Sequence, residues 1–234
     1  MLTLISCRES ASASNTFGPH VIPGQSDFFQ GGPLGWPILI HGYNRTEGQA
    51  WNDFTPFSAA LGEDCIVYSW PGGCHPLDFP AAEVRATLAG YRLRDVFSMR
   101  SLRAPGDSIV THSLGARVAL TALQHGAFRV NQLILMGAAV DWDVFQTGGE
   151  FANVPACCES IHILFSSRDE VLKLAFPFGD FGGDCRALGL DGPCDPLSVP
   201  ANVILHDFSA SIETHGAYVT DPDCSGMVRQ FLRR

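Results

Sequence analysis

Apolar residues lie along this chain in short runs that alternate with longer segments of mixed polarity. The runs are rich in Ile, Leu and Val and have the length of strands that are buried on both faces of a parallel sheet. They cover residues 36–42, 65–70, 108–113, 132–139, 161–167 and 202–208. This pattern predicts a central sheet whose strands are joined by crossover segments.

The segments between the runs predict helices, over Gln49–Leu61, Ala81–Met99, Leu114–His125 and Ser225–Leu232. The second helix has one narrow face of small or apolar side chains at every third or fourth position, formed by Ala82, Ala86, Ala89, Leu93 and Val96. Strands that alternate with helices are typical of an α/β fold with right-handed crossovers. We expect a mostly parallel sheet of about six to seven strands, with helices on both faces.

Two stretches lie outside this alternation. The start, "MLTLIS", predicts an edge strand, and the rest of residues 1–35 predicts a loop. The stretch Ala175–Pro200 is rich in Gly and Pro, and loops this long in a compact domain often have a function. We interpret it as a flap over a ligand site, with a poorly ordered insertion as the alternative. Because no comparable insertion precedes it, no large cap domain is expected.

Composition and charge narrow the class of protein. The chain has 234 residues, 46% of them hydrophobic and 17% charged, which predicts one globular domain over residues 1–234. The net charge of −9 and the lack of a Lys/Arg cluster argue against nucleic acid as a partner. No apolar run reaches the length of a membrane span, and the first residues do not resemble a leader. We expect a cytoplasmic protein, or a secreted one if a leader has been removed; the oligomeric state is not indicated.

The eight cysteines are scattered through a chain that is large enough to fold without disulfides, so we expect mostly free thiols. In an oxidising compartment, Cys185 and Cys194 are the best candidates for a disulfide because they flank one Gly-rich turn. No cysteine pair has the two-residue gap of a zinc ribbon or finger. No metal and no cofactor is therefore predicted.

The stretch "DSIVTHSLGARVAL" places Ser113 between an apolar strand and a predicted helix. This context is typical of a nucleophile elbow, in which a strained turn projects a serine hydroxyl above the sheet. Small residues are needed two positions to either side, and Gly115 meets this requirement, whereas Thr111 stands where glycine is usual. The alternative is that Ser113 only caps the helix.

The first predicted strand of the sheet is followed by "HGYNRT", residues 41–46. A loop at this place commonly supplies one backbone N–H of an oxyanion hole, here that of Tyr43, while the N–H of Leu114 at the helix start supplies the other. Gly42 lets the backbone approach a substrate. An ordinary Gly-containing turn is the alternative interpretation.

A serine nucleophile needs a general base, and that base needs an acid to orient it. His215 follows the last predicted strand and is our candidate base; His41 and His206 are expected to be structural, and His112 is excluded because it points away from its neighbour at the elbow. Asp169 follows the strand 161–167 and is the preferred acid, with Asp141 and Asp143 in reserve. Either choice keeps the chain order nucleophile, acid, base.

From about Pro37 to its end, the chain resembles an alpha/beta-hydrolase. Within that superfamily it is similar to a bacterial group that shares "HGYN" (41–44), a "WPG" turn (70–72) and an alanine-rich helix ending in "LR" (81–94). The resemblance implies a triad of Ser113, Asp169 and His215 with an oxyanion hole from Tyr43 and Leu114.

Such a triad predicts hydrolysis of small to medium carboxylic esters through an acyl-enzyme. The alternatives are a thioesterase, an amidase or an acyltransferase with the same triad, and a non-catalytic ligand-binding protein. Aromatic residues near these motifs are candidate walls of the substrate site: Tyr43, Trp51, Trp70, Phe176 and Phe178.

Overall fold

The computed structural model describes residues 1–21, 35–73, 75, 78–99, 107–176 and 186–233. Within them, eight strands form one sheet in the order β2-β1-β4-β3-β5-β6-β7-β8. β1 and β2 are antiparallel, and all other neighbours are parallel. The strands are β1 Leu2–Arg8, β2 Phe17–Val21, β3 Ile38–Ile40, β4 Cys65–Ser69, β5 Ile109–His112, β6 Val130–Met136, β7 Cys158–Phe165 and β8 Val203–Asp207.

The α-helices of the described residues are α1 Glu47–Leu61, α2 Phe79–Met99, α3 Gly115–His125, α4 Glu170–Ala175, α5 Leu188–Asp191 and α6 Pro222–Leu232. They cover both faces of the sheet, as the pattern predicted. Successive residues of a strand point to opposite faces, and accordingly Ile38 and Ile40 pack with α2 and α3, whereas Leu39 packs with α1 and α6. The mostly parallel sheet with helices on both faces, expected from the sequence, is confirmed.

Local sequence explains where the main helices begin and how closely they pack. Thr46 and Gln49 form a reciprocal capping box at the start of α1, and Gly62 ends that helix with φ 69°. The small residues of α2 are buried, as expected. Its Gly90 packs so closely on α3 that a Cβ there would lie 2.5 Å from Cβ of Thr121.

Two expectations for the N-terminal region were wrong: that β1 lies at the edge of the sheet, and that residues 17–21 belong to a loop. β1 is not an edge strand, because β2 pairs along its outer side and occupies the edge itself. β2 has the sequence FGPHV, which lacks an Ile/Leu/Val run and contains a proline that an edge strand tolerates. With this strand and β1 the sheet reaches eight strands rather than six or seven.

One described segment of the predicted flap, residues 187–190, lies in the core, whereas residues 194–198 are exposed. Leu188 is fully buried, and its N–H donates to the carbonyl of Val140 at 2.8 Å. The N–H of Gly189 donates to the carbonyl of Ala138 at 2.9 Å. Residues 177–185 lie outside the described residues, so a flap there stays a prediction.

Two further expectations concern the membrane and the thiols. No helix within the described residues is both long enough and apolar enough to cross a bilayer. No two cysteines of the described residues are joined in a disulfide. Cys74 and Cys185 lie outside the described residues, and the pairing of Cys185 with Cys194 stays a prediction.

Candidate active site

Ser113 occupies the tight turn between the end of β5 and the start of α3. Its φ is 57°, in the left-handed region that non-glycine residues rarely adopt. The N–H of Ser113 donates to the carbonyl of Met136 at 3.0 Å, and its carbonyl accepts from the N–H of Ala139 at 3.2 Å. The strained turn is therefore fixed by the end of β6, the neighbouring strand.

The residues on either side of Ser113 fit this close packing in different ways. A Cβ on Gly115 would lie 2.6 Å from the carbonyl oxygen of Ile40, so only glycine allows α3 to approach the end of β3. Thr111 stands where glycine is usual, but its side chain is fully buried and its hydroxyl donates to the carbonyl of Ile134 at 3.3 Å. The sheet thus accommodates the departure from the motif.

The loop after β3 lies directly against Ser113. A Cβ on Gly42 would lie 2.7 Å from Cβ of Ser113 and 3.2 Å from its hydroxyl oxygen. The "HGYN" loop is held by the "WPG" turn: the indole N–H of Trp70 donates to the carbonyl of His41 at 2.8 Å, and the N–H of Asn44 donates to the carbonyl of Gly72 at 3.2 Å. The two motifs therefore form one unit beside the serine.

His41 is part of this unit. Its Nδ1 donates to the carbonyl of Gly42 at 2.7 Å, which leaves Nε2 to accept from the backbone N–H of Trp70 at 3.1 Å. Burial, with the nearby charge of Arg8, lowers the pKa of His41 to about 3. His41 is a neutral structural histidine, as the sequence suggested.

Asp169 and His215 meet across the ends of β7 and β8. Nδ1 of His215 donates to Oδ2 of Asp169 at 2.7 Å, while Oδ1 of the same carboxylate accepts from the N–H of Leu172 at 3.1 Å and caps α4. The carboxylate is fully buried. Because a carboxylate only accepts, the proton lies on Nδ1 and leaves Nε2 of His215 as a base.

His112, the last residue of β5, supports His215. Nε2 of His112 donates to the backbone carbonyl of His215 at 2.8 Å, and the ring centroids are 4.7 Å apart. Burial, together with the neighbouring His215, lowers the pKa of His112 to about 3. His112 is therefore neutral and fixes the backbone of His215.

The reserve acids lie elsewhere. Asp141 forms an isolated β-bridge with Ala187, and the carbonyl of Asp143 accepts from the N–H of Gln146 at 2.8 Å. Neither belongs to the cavity that Ser113 and His215 line. Of the three aspartates that the sequence offered, the structure brings Asp169 to the histidine.

Ser113 and His215 line one cavity of about 330 Å³. Among the aromatic residues expected as its walls, Tyr43 and Phe176 line it, and Phe178 lies outside the described residues. Trp70 does not line it, because this side chain is fully buried and stacks on His41. Trp51 does not line it either, since it packs against the core beneath α1.

Other lining residues were missed by sequence reasoning. Phe79, Val171 and Leu172 add apolar surface, and an ion pair between Arg45 and Asp53 at 2.7 Å adds a charged edge. The sequence pattern predicted a helix that includes most of α2 but none at α4, and it gave no local signal that the first turn of either helix faces a cavity. Across the described ranges, no group of three or more His, Cys, Asp or Glu side chains has the arrangement of metal ligands.

Comparisons with known proteins agree with this architecture. Lipase B of Aspergillus fumigatus superposes with a TM-score of 0.53 at 12% identity, over 90% of this chain and 55% of the lipase. The chain thus spans about half the length of that lipase. Esterase PE8 superposes with a TM-score of 0.50 at 16% identity, over 86% of this chain and 93% of the esterase. At such identities the likeness shows the fold alone.

No curated protein matches the sequence. The alpha/beta hydrolase family matches residues 38–226, a span that includes Ser113, Asp169 and His215. Since this match covers most of the chain, the protein belongs to the alpha/beta hydrolase family.

Proposed function

We propose that this hydrolase cleaves carboxylic esters of small to medium acyl groups through an acyl-enzyme on Ser113. The observation that supports this most is the placement of Ser113 and His215 on one cavity, with Nδ1 of His215 bonded to buried Asp169. These three residues have the roles of nucleophile, base and acid in the proposal.

In the proposed reaction, Nε2 of His215 takes the hydroxyl proton as the oxygen of Ser113 attacks the ester carbonyl. Asp169 stabilises the imidazolium that forms, and His215 then gives the proton to the departing alcohol. Water attacks the resulting acyl-enzyme with His215 again as base, and the acid is released. The alcohol thus carries away the original hydroxyl proton of Ser113, and a proton from the attacking water, passed through His215, restores the hydroxyl at the end of the cycle.

The negative charge on the carbonyl oxygen needs donors that are fixed before the reaction. We assign these to the backbone N–H groups of Tyr43 and Leu114. The close contact of Gly42 with Ser113 supports the first, and the position of Leu114 at the N-terminus of α3 supports the second. A donor of this kind stabilises the transition state by about 3 kcal/mol.

The cavity favours compact substrates. Its volume of about 330 Å³ is at the small end for ligand sites. Phe79, Leu172 and Phe176 give it an apolar wall that suits an acyl chain, and the rings of Phe79 and Phe176 pack edge to face at 6.2 Å. Esters of short acids fit this space better than long-chain lipids.

Covalent labelling and turnover test the proposal together. A fluorophosphonate should add once to the wild-type protein, on Ser113, and not to Ser113→Ala. Wild type should then hydrolyse p-nitrophenyl acetate and butyrate faster than the octanoate. Labelling without turnover of any ester would favour a ligand-binding protein, and faster cleavage of matched thioesters or amides would replace the ester assignment. Absence of both labelling and turnover would contradict the triad.

A further inference from the structure

Arg8, the last residue of β1, is a charged residue inside the protein. Its exposed fraction is 1%. Burial lowers the pKa of its guanidinium to about 10, so it keeps its charge at neutral pH. Within the described residues, no carboxylate forms an ion pair with it. The nearby charge of Glu47 offsets part of the cost of burying this group. The rest of the cost is tolerated where the N–H groups are hydrogen-bonded.

The guanidinium donates in three directions to uncharged acceptors. Nε donates to the hydroxyl of Ser69 at 2.8 Å, and Nη1 donates to the carbonyl of Ala13 at 2.7 Å. Nη2 lies 2.6 Å from the carbonyl oxygen of Arg45 and 3.3 Å from Nε2 of His41. Arg8 thus joins β1, the end of β4 and the loop after β3.

The last two acceptors are the first and last residues of the loop His41–Arg45. This loop carries Gly42, which contacts Ser113, and Tyr43, whose N–H is the proposed oxyanion donor. Donation from Arg8 also keeps Nε2 of His41 an acceptor, so that Nδ1 carries the proton bonded to the carbonyl of Gly42. One buried side chain therefore fixes both ends of the loop.

We propose that Arg8 is a positioning residue for catalysis, whose guanidinium holds the loop His41–Arg45 in place beside Ser113. This inference rests on the proposed esterase function. Lysine cannot replace Arg8 fully, because one ammonium group cannot reach acceptors that diverge as the planar fork of arginine does.

The test compares Arg8→Met and Arg8→Lys with a matched control, Arg92→Met. Arg92 is a half-buried arginine beside the N-terminal strands, and it donates to the carbonyl of Gly18 at 2.6 Å, away from the cavity. Active sites are counted with a fluorophosphonate, so that kcat is expressed per competent site. The Ki of an alkyl boronic acid, whose adduct with serine places an oxygen in the oxyanion hole, is measured alongside KM.

For Arg8→Met we expect kcat to fall about 10- to 100-fold, less than deletion of an oxyanion donor. KM should change less than about threefold, and Ki should rise in proportion to the loss of kcat/KM. Arg8→Lys, which also serves if the methionine variant does not fold, should lie between it and wild type, and Arg92→Met should match wild type. An unchanged kcat per site, or a fall in kcat with unchanged Ki, would overturn the inference. A wild type without ester turnover would instead overturn the proposed function.

Discussion

Nδ1 of His215 lies 2.7 Å from Oδ2 of Asp169, although 46 positions separate the two residues in the chain. Both follow parallel strands, β7 and β8, whose carboxyl ends lie at the same edge of the sheet. His112 fixes the backbone of His215 from a third strand, and the N-terminus of α4 fixes the carboxylate. The imidazole is thus oriented from several elements before any substrate binds.

Replacing Asp169 with Asn should lower kcat on the order of 10³- to 10⁴-fold, because the amide can donate to Nδ1 and favours the wrong tautomer of His215. Asparagine still caps a helix, so the melting temperature should change little. Steady-state kinetics and thermal denaturation check both parts, with Asp143→Asn as the control that should retain activity. If the control loses activity and Asp169→Asn does not, the acid is misassigned.

The left-handed backbone of Ser113 predicts a gain in stability from glycine. Ser113→Gly should abolish turnover and raise the free energy of unfolding by about 1 kcal/mol, because glycine adopts φ 57° without the steric penalty. Asn44→Gly, at φ 55°, should gain less, since asparagine tolerates this region. Urea denaturation measures both differences, and a destabilised Ser113→Gly would show that the turn stores no strain.

Gly42 and Gly48 form a matched pair for a test of the loop. A Cβ on Gly42 would lie 2.7 Å from Cβ of Ser113, whereas nothing lies within 4 Å of a Cβ on Gly48. Gly42→Ala should therefore displace the loop and remove most activity, and Gly48→Ala should keep it and stabilise α1 by up to about 1 kcal/mol. Steady-state kinetics of the two variants test this expectation, and equal activities would contradict the close approach of Gly42 to Ser113.

The buried histidines predict a loss of stability in acid. His41 and His112 have pKa values of about 3 in the folded protein, against 6.5 for an ordinary histidine. The unfolded chain therefore binds more protons as pH falls below 6.5, and the free energy of unfolding decreases, by about 2 kcal/mol per histidine at pH 5. Stability that depends on their neutral state is fully present above pH 6.5.

Denaturant titrations between pH 5 and pH 8 measure this dependence. His41→Gln keeps a donor and an acceptor but does not titrate. On unfolding in acid, this variant should therefore take up about one proton fewer than wild type, and its free energy of unfolding should vary less with pH. If the wild type unfolds at the same denaturant concentration at pH 5 and pH 7, the burial of neutral imidazoles is contradicted.

Much of the fold was predictable because its determinants are local. Runs of Ile, Leu and Val mark strands that are buried on both faces, and the parallel strands lie close to these runs. The main helices lie close to the segments between the runs. β2 escaped this reasoning because an edge strand has one partner and needs no such run. The candidate Ser113 was also found locally, since an elbow is a strand, a turn and a helix in direct succession.

The sequence by itself determined the alternation of strands and helices and the serine at the elbow, because both depend on neighbours in the chain. Only the tertiary structure decided which aspartate meets His215, that Trp70 supports the loop rather than the substrate, and that Arg8 lies beneath the same loop. These contacts join residues from different strands, and their distances are fixed by the register of the sheet, which no local pattern contains.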